Sequence, residues 1–343
     1  MKISANDLIE LTQKIFAAAG SSEAEALCIA RHLVEANLVG HDSHGVIRIM
    51  TYVGWAREGN VVANQTVEVV LETDNLAVLD GRSGFGQSIG EQAVQMGIDK
   101  AAGSGVSVIA LRDSAHLGRI GDWPQMAADA NLLSLHFVNT SGKGMLVAPF
   151  GGISRRLSAC PIAAGVPIRQ GNPLILDISG CTVAEGKIRV ALNKGVPVPD
   201  GCIIDGQGRP TNDPKVFYGD PGAILPFGGH KGYGLTMIAE VLAGALTGGG
   251  CTNPKNDGRL NNGMLSIYLD PYRFQDEAVF QQELDRFVEF VKSSERVTPD
   301  GEILMPGDPE RRHKQRRLAE GIDLDETTWT QIQETAQSLG VGS

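Results

Sequence analysis

Within nine residues, Gly40-His41-Asp42-Ser43-His44-Gly45-Val46-Ile47-Arg48, the chain carries two imidazoles, a carboxylate, a hydroxyl and a guanidinium. An imidazole titrates near neutrality and can exchange a proton with a reacting oxygen. A guanidinium presents a planar fork of donors that matches a carboxylate. Together these groups suit a small acid bearing a carbonyl or hydroxyl beside its carboxylate. The rival chemistry is a metal-dependent hydrolase with His41, Asp42 and His44 as ligands. That site needs more ligands, and the remaining histidines (His32, His116, His136, His230, His313) show no matching short spacing. A third reading is a capped helix whose histidines merely satisfy backbone groups.

To position the cluster, the sequence offers a helix with Asp42 or Ser43 as N-cap and Gly59 near its stop. On that helix His44, Arg48 and Tyr52, spaced i, i+4, i+8, would share one face. Upstream, Ser4 precedes one amphipathic helix, and Ser22-Glu23-Ala24-Glu25 reads as a capping box before a second. Thr66–Glu72 and Leu76–Asp80 alternate as strands. Leu76–Asp80, Gly84, Gly86, Gly90, a helix to about Gly103 and the strand Val106–Leu111 outline a βαβ unit, with Asp113 as a candidate ribose acid. The spacing Gly84-x-Gly86-x-x-x-Gly90 misses the dinucleotide fingerprint by one residue, so these read as ordinary turn glycines.

Asp113-Ser114-Ala115-His116-Leu117-Gly118-Arg119-Ile120-Gly121 follows a strand end and suits a loop closing over a ligand. The strand Leu132–Val138 leads into the polar loop Asn139-Thr140-Ser141-Gly142-Lys143, and the strand Pro173–Ile178 into Ser179-Gly180-Cys181. Residues 195–214 are dense in glycine and proline and read as a surface excursion. Gly228-Gly229-His230-Lys231-Gly232-Tyr233-Gly234 enters a helix over Leu235–Leu246. Glycine backbone, a lysine and a helix start together make an anion site, although the P-loop order is absent. Residues 275–292 form an amphipathic helix. The charged helix holding Arg311, Arg312, Lys314, Arg316 and Arg317 reads as a solvated face.

The 343 residues are too many for one small core, and two or three subdomains are expected. A net charge of -10 argues against nucleic acid or an anionic membrane as the main partner. No uncharged run reaches the roughly 18 apolar residues of a membrane span. Five cysteines without a C-x-x-C pair suit reduced thiols, and a soluble cytoplasmic protein is expected.

Taken in order, several stretches resemble the malate/L-lactate dehydrogenase-like family. They are Gly40–Arg48, Ser114-x-His116-x-Gly118, Asp177 after its strand, Gly186-Lys187-Ile188, Thr211-Asn212-Asp213-Pro214, His230-Lys231-Gly232 and Pro306-Gly307-Asp308. The resemblance spans about residues 1 to 335. It implies an NAD- or NADP-dependent oxidoreductase of small 2-oxo and 2-hydroxy acids, a homodimer, with no metal. It implies an α/β fold: a non-Rossmann, cofactor-binding mixed sheet with helices on both faces, plus a helical unit from both termini. The implied regions are 1–60 with 309–343 (helical), 61–115 with 225–308 (substrate and dimerisation) and 116–224 (cofactor). By the family pattern Ser43 and His44, or alternatively His116, handle the proton, and Arg48 grips the carboxylate, with Tyr52 and Lys187 also on the substrate. The cofactor would meet His116, Leu117, Gly118, Arg119, Ile120, Thr140, Asp177, Ile178, Ser179, His230, Lys231, Gly232, Pro306, Gly307 and Asp308. Two departures bear on substrate: Gly-Thr-Asn-Pro is here Ser158-Ala159-Cys160-Pro161, and Asp-x-Ala-Thr-Ser is here Asp177-Ile178-Ser179-Gly180-Cys181. The imine-reducing branch carries an acid where this chain has Lys187, which favours a keto acid over an imine.

Overall fold

The computed structural model describes residues 1–142, 144–169, 171–219, 221–254 and 259–342. Lys143, the last residue of the expected polar loop, lies outside them. The chain opens with β1 (Lys2–Ile3), α1 (Ala5–Ala18) and α2 (Glu23–Leu38). Ser4 and Ser22 cap the two helices as expected, accepting from the Asp7 and Glu25 backbone N–H groups. The capping box is only half formed. The Glu25 carboxylate takes the Asn64 N–H at 2.9 Å, while the Ser22 N–H goes to Asn64 Oδ1 at 2.6 Å.

The single helix expected from Ser43 is not there. Two short 3-10 turns, Asp42–His44 and Val46–Arg48, precede α3 (Ile49–Arg57), and extended Gly45 separates them. Asn37 at the end of α2 causes the break. Its Oδ1 accepts the Val46 N–H at 2.8 Å and its Nδ2 donates to Asp42 Oδ1 at 2.7 Å. A backbone donor taken by a side chain is lost to a helical ladder. His44, Arg48 and Tyr52 therefore do not share one helical face.

Next come β2 (Glu68–Glu72), β3 (Leu76–Asp80), α4 (Gly86–Ser104), β4 (Val106–Ser114), α5 (Asp122–Asp129) and β5 (Leu133–Gly142). After them lie β6 (Pro161–Val166), β7 (Leu174–Ser179), α6 (Glu185–Lys194), β8 (Ile203–Ile204), β9 (Pro210–Thr211), α7 (Pro214–Gly219) and β10 (Ala223–Ile224). The chain closes with α8 (His230–Glu240), β11 (Leu260–Leu269), α9 (Glu277–Lys292), α10 (Asp308–Glu320), β12 (Ile322–Asp323) and α11 (Glu326–Ser338). The βαβ outline is borne out, because β3 and β4 run parallel across α4.

Among the described residues the main sheet has seven strands in the order β2-β3-β4-β11-β5-β6-β7. Only β3 and β4 are parallel neighbours; every other pair is antiparallel. The alternation nevertheless aligns β3, β4, β5 and β7, so their carboxyl ends open on one edge. Ligands in open α/β sheets gather at that edge. The division expected at residue 116 runs through this sheet, with β4 on one side and β5 on the other. A buried cluster of α4, α5 and strand residues, centred on Trp123 and Tyr268, covers one face. The other face meets α8, whose Ala239 packs with Cys160 and Ile162.

A second cluster joins both chain ends. Leu8, Ile15, Phe16, Leu33, Ile49 and Tyr52 pack with Ile322, Ile332 and Ala336. The charged face of α10 is not simply solvated: Arg317 pairs with Asp42, Lys314 with Glu35 at 2.7 Å, and Glu310 with His41 at 3.3 Å. The 195–214 stretch is also more than an excursion. It carries β8 and β9 of a small sheet with β10, and Val198, Cys202 and Ile203 are buried with Phe217. The helix expected from Leu235 begins five residues earlier, at His230, and its last part from Val241 winds as a wider π turn.

Candidate active site

The 3-10 turns, α3 and the loop after β4 meet around one imidazole pair. Tyr52 Oη lies 2.6 Å from His116 Nδ1, and the His44 ring stacks on His116 with centroids 5.6 Å apart and planes 15° from parallel. Ser43 Oγ is 3.1 Å from His44 Nδ1. Arg48 Nε donates to the Ser43 carbonyl at 2.7 Å, which leaves its terminal amino groups for another partner. Ser43, His44, Arg48, Tyr52 and His116 are thus together, although the helical phase expected to unite them is absent.

Burial sets the charges here. His116 is pushed down to about 3 by burial and then by Arg48, so its ring is neutral at neutral pH. His44 is also held well below the usual imidazole range, by burial first and by His116 and Arg48 next. Burial raises Tyr52 to about 12, which keeps its phenol protonated. A buried phenol beside two neutral imidazoles and a guanidinium is a site arranged for one proton and one carboxylate.

Gln87, which the sequence reading missed, fixes this arrangement. Its Nε2 donates to Tyr52 Oη at 3.3 Å and to the His116 carbonyl at 3.4 Å, and its Oε1 is buried without a partner. No local signal marks a glutamine within a run of small and apolar residues. The neighbouring glycines are packing residues, not turn residues as expected. Gly84, Gly86 and Gly90 have ordinary φ; a side chain at Gly86 would meet the His116 carbonyl, and one at Gly90 would lie 2.5 Å from the Trp123 ring.

The stretches expected around the cofactor lie after β4 and along β5 and β7, with the Pro306 turn at the amino end of β7. Asn262 on β11 accepts the Leu117 N–H and donates to Thr140 Oγ1, both at 2.9 Å. Asp177 accepts the Gly121 N–H at 2.8 Å, between Ile120 and α5. Arg119 is buried, with Nη1 2.5 Å from Asp122 and Nε 3.8 Å from Asp177. Ile175 N–H bonds the Pro306 carbonyl at 3.1 Å, which brings the Pro306-Gly307-Asp308 turn beside β7. Gly232 packs against the Gly180 and Phe227 carbonyls, close to Ile178 and Ser179. Gly118 has φ 75° and faces Gln87. The side chains of His230, Lys231 and Lys187 are exposed, and His230 meets Phe150 edge-on at 6.1 Å. The Lys187 helix starts against the site all the same, since Gly186 abuts Ser43.

The departures fall among the same stretches. Ser158 Oγ accepts the Thr140 N–H at 3.2 Å, the Ala159 carbonyl accepts the Gly180 N–H at 2.8 Å, and Cys160 is fully buried. A cavity of ≈ 650 Å³ opens beside them, with Arg31, Arg119, Ile175, Gly307, Arg311 and Lys314 in its wall. The wall also carries Glu35, Glu91, Asp122, Asp129 and Glu310, so cations and carboxylates alternate around it, and Arg119 Nε, buried without a hydrogen bond, lies within ion-pair reach of Asp177. The hydrolase alternative finds no support in the geometry. His41 pairs with Glu310 and Asp42 with Arg317, so the three ligands it needs do not converge.

Fold and site together define an α/β protein with a mixed sheet, beside which Tyr52, His44, Arg48 and His116 are gathered. The sequence profile of the malate/L-lactate dehydrogenase family matches residues 3–333, and the chain belongs to that family of oxidoreductases. Hydroxycarboxylate dehydrogenase B of Escherichia coli strain K12 is 39% identical over 345 residues, covering 99% of this chain and 95% of that protein. L-lactate dehydrogenase of Cupriavidus necator is 36% identical, covering 99% of each. A solved structure from E. coli, described as a malate/lactate dehydrogenase, superposes with a TM-score of 0.95 at 37% identity, covering 100% of this chain and 96% of that one. The mixed sheet flanked by helices is the expected fold class.

Proposed function

We propose that this protein is an NAD- or NADP-dependent dehydrogenase that interconverts small 2-oxo and 2-hydroxy acids. The observation that carries the reading is His116 locked by Tyr52, stacked on His44, beside an Arg48 guanidinium with free donors. The nicotinamide cofactor supplies or accepts the hydride; the chain supplies everything else. Arg48 receives the substrate carboxylate through its terminal amino groups. The arriving anion offsets the Arg48 charge that helps keep His116 neutral, so substrate binding raises the proton affinity of the imidazole where it is needed. With Nδ1 held by Tyr52, Nε2 of His116 is left for the C2 oxygen. It gives its proton to a 2-oxo acid and takes one from a 2-hydroxy acid. The Tyr52 hydroxyl can donate to or accept from Nδ1, so it holds the ring in either state. Ser43 and His44 sit alongside as a second proton pair, and two stacked imidazoles of low basicity share one proton rather than hold two.

Arg119, Asp177, Thr140, the loop from His116 to Ile120, Ile178-Ser179, His230-Lys231-Gly232 and Pro306-Gly307-Asp308 are proposed to hold the dinucleotide. A keto acid is preferred to an imine because the first turn of α6 carries Lys187, a cation, at the position where the imine-reducing branch has an acid. A homodimer and a cytoplasmic location belong to the same reading. Leu235, Ile238 and Leu246 leave an apolar strip 40%, 55% and 62% exposed, and all five cysteines are free. No described helix is long and apolar enough to cross a membrane. The test is a panel of 2-oxo acids with NADH and NADPH, following loss of the reduced nicotinamide absorbance without added metal. No cofactor-dependent turnover of any 2-oxo acid in the panel by folded protein would overturn the proposal.

A further inference from the structure

Away from the imidazole pair, α2 and α4 bring together a cysteine, a histidine and a glutamate. Cys28 and His32 are four residues apart on α2 and face the same way, and Glu91 reaches them from the second turn of α4. Histidine-to-histidine spacing does not reveal this pair, because its other member is a cysteine, Cys28-x-x-x-His32. Cys28 Sγ is 3.0 Å from Glu91 Oε2, and His32 Nε2 is 3.7 Å from the same oxygen. One ligand atom from each of the three lies within 4.8 Å of the others, and among the described residues this is the one such grouping.

The His32–Glu91 separation suits a tetrahedral cation, and the Cys28–Glu91 hydrogen bond would open by about half an ångström on binding one. Bonds of about 2.3 Å to sulfur and about 2.0–2.2 Å to nitrogen and oxygen place neighbouring ligand atoms roughly 3.3–3.8 Å apart. The histidine is also oriented for the task. His32 Nδ1 is 3.0 Å from Asp122 Oδ2, so the carboxylate takes one ring nitrogen and Nε2 is left facing Cys28 and Glu91. Metal-binding histidines almost always give their other nitrogen to such a partner. Asp122 is fixed in turn by Arg119 at 2.5 Å, and the His32 ring rests on Trp123 with centroids 4.9 Å apart. His32 and Glu91 line the cavity that Arg119 and Arg311 also line, and the Glu91 side chain is 51% exposed, which gives water a route to a fourth position.

We propose that Cys28, His32 and Glu91 form a binding site for zinc or a similar borderline divalent cation, separate from the residues assigned to substrate. Thiolate, imidazole and carboxylate together select zinc over magnesium or calcium, which prefer oxygen alone. On binding, Cys28 releases its thiol proton to solvent and sulfur bonds the metal, with no change of oxidation state. Two anionic ligands balance the charge of the ion. The bound metal ties α2 of the helical unit to α4 on the sheet. Without metal the same groups form a hydrogen-bonded cluster, the thiol donating to Glu91 and His32 lying between two carboxylates.

Chelator-treated full-length protein titrated with Co²⁺, followed by zinc competition against a chromogenic indicator, tests the site without reference to any catalytic activity. The expected result is one equivalent per chain, a thiolate-to-cobalt charge-transfer band, displacement by zinc and a higher unfolding temperature with metal. Cys28→Ser should abolish the band, and Asp122→Asn should weaken zinc binding by about 10–100-fold. Glu91→Gln changes an exposed side chain and carries the test if Cys28→Ser does not fold; it should weaken zinc at least tenfold. Absence of stoichiometric binding at micromolar metal, or unchanged binding by Cys28→Ser and Glu91→Gln, overturns the proposal.

Discussion

Replacing Tyr52 with phenylalanine keeps the ring and removes one oxygen from the centre of the site. That oxygen lies 2.6 Å from His116 Nδ1 and 3.3 Å from Gln87 Nε2, on a side chain 2% exposed. With the hydroxyl gone, the imidazole nitrogen loses its protein partner and the carboxamide N–H keeps only the His116 carbonyl at 3.4 Å. A buried polar group left short costs about 1–3 kcal/mol. If that cost falls on the transition state, kcat drops by about 5- to 150-fold. The Michaelis constant for the oxo acid should move little, because Arg48 is untouched. The loss should be constant across neutral pH, because burial pushes the phenol up to about 12 and keeps it protonated. Steady-state kinetics of Tyr52→Phe, His116→Gln and the double variant measure the coupling. A kcat within twofold of the parent, or losses that simply add in the double variant, would refute the role given to this hydrogen bond.

Arg48→Ala should raise the Michaelis constant for the oxo acid far more than the dissociation constant of the cofactor, by about 2–5 kcal/mol, read from kinetics and cofactor titration. Gly86→Ala drives a methyl group toward the His116 carbonyl, whereas Gly103 has nothing within 4 Å. Folded Gly86→Ala should therefore lose on the order of 100-fold in kcat while Gly103→Ala keeps it, and equal activities would sink the packing role. Lys231→Ala should weaken the cofactor by roughly tenfold or more, about 1.4 kcal/mol, by fluorescence titration; an unchanged constant removes Lys231 from the cofactor site. For pH, burial holds His136, like His116, down at about 3, below the unfolded value near 6.5. Between these values the unfolded chain binds more protons, so stability falls as pH drops below about 6.5, by up to about 1.4 kcal/mol per unit for each group. His32 is shifted the opposite way, so its contribution is already complete in that window and does not offset the loss. Urea midpoints at neutral and mildly acid pH check this, and an unchanged or higher midpoint in acid contradicts it.

The sequence by itself determined what depends on near neighbours. Ser4 and Ser22 start their helices because a cap acts over three residues, and the strands from Leu76 and Val106 follow from apolar patterning. Glycine spacing departs by one residue from the conventional dinucleotide loop, whose turn has strict local sterics, and the packing of Gly86 and Gly90 against His116 and Trp123 appears only in the fold. The residue types of the site were legible too: His44, Arg48, Tyr52 and His116 are together. Their geometry was not. Asn37 captures a backbone donor nine residues ahead and breaks the helix that periodicity implied, a competition between side chain and backbone that no period records. Tyr52 and His116, 64 residues apart, meet because β4 ends at the same edge of the sheet where α3 packs. Gln87 and Asn262 belong to no motif, and only the register of α4 and β11 brings their amides to His116, Leu117 and Thr140. Cys28, His32 and Glu91 divide the same way, for the first two are local neighbours on α2 while the third arrives with α4. Local bonding and patterning act over a few residues and can be read along the chain; the charge states of His44 and His116 come from desolvation, which exists only once the elements have closed around them.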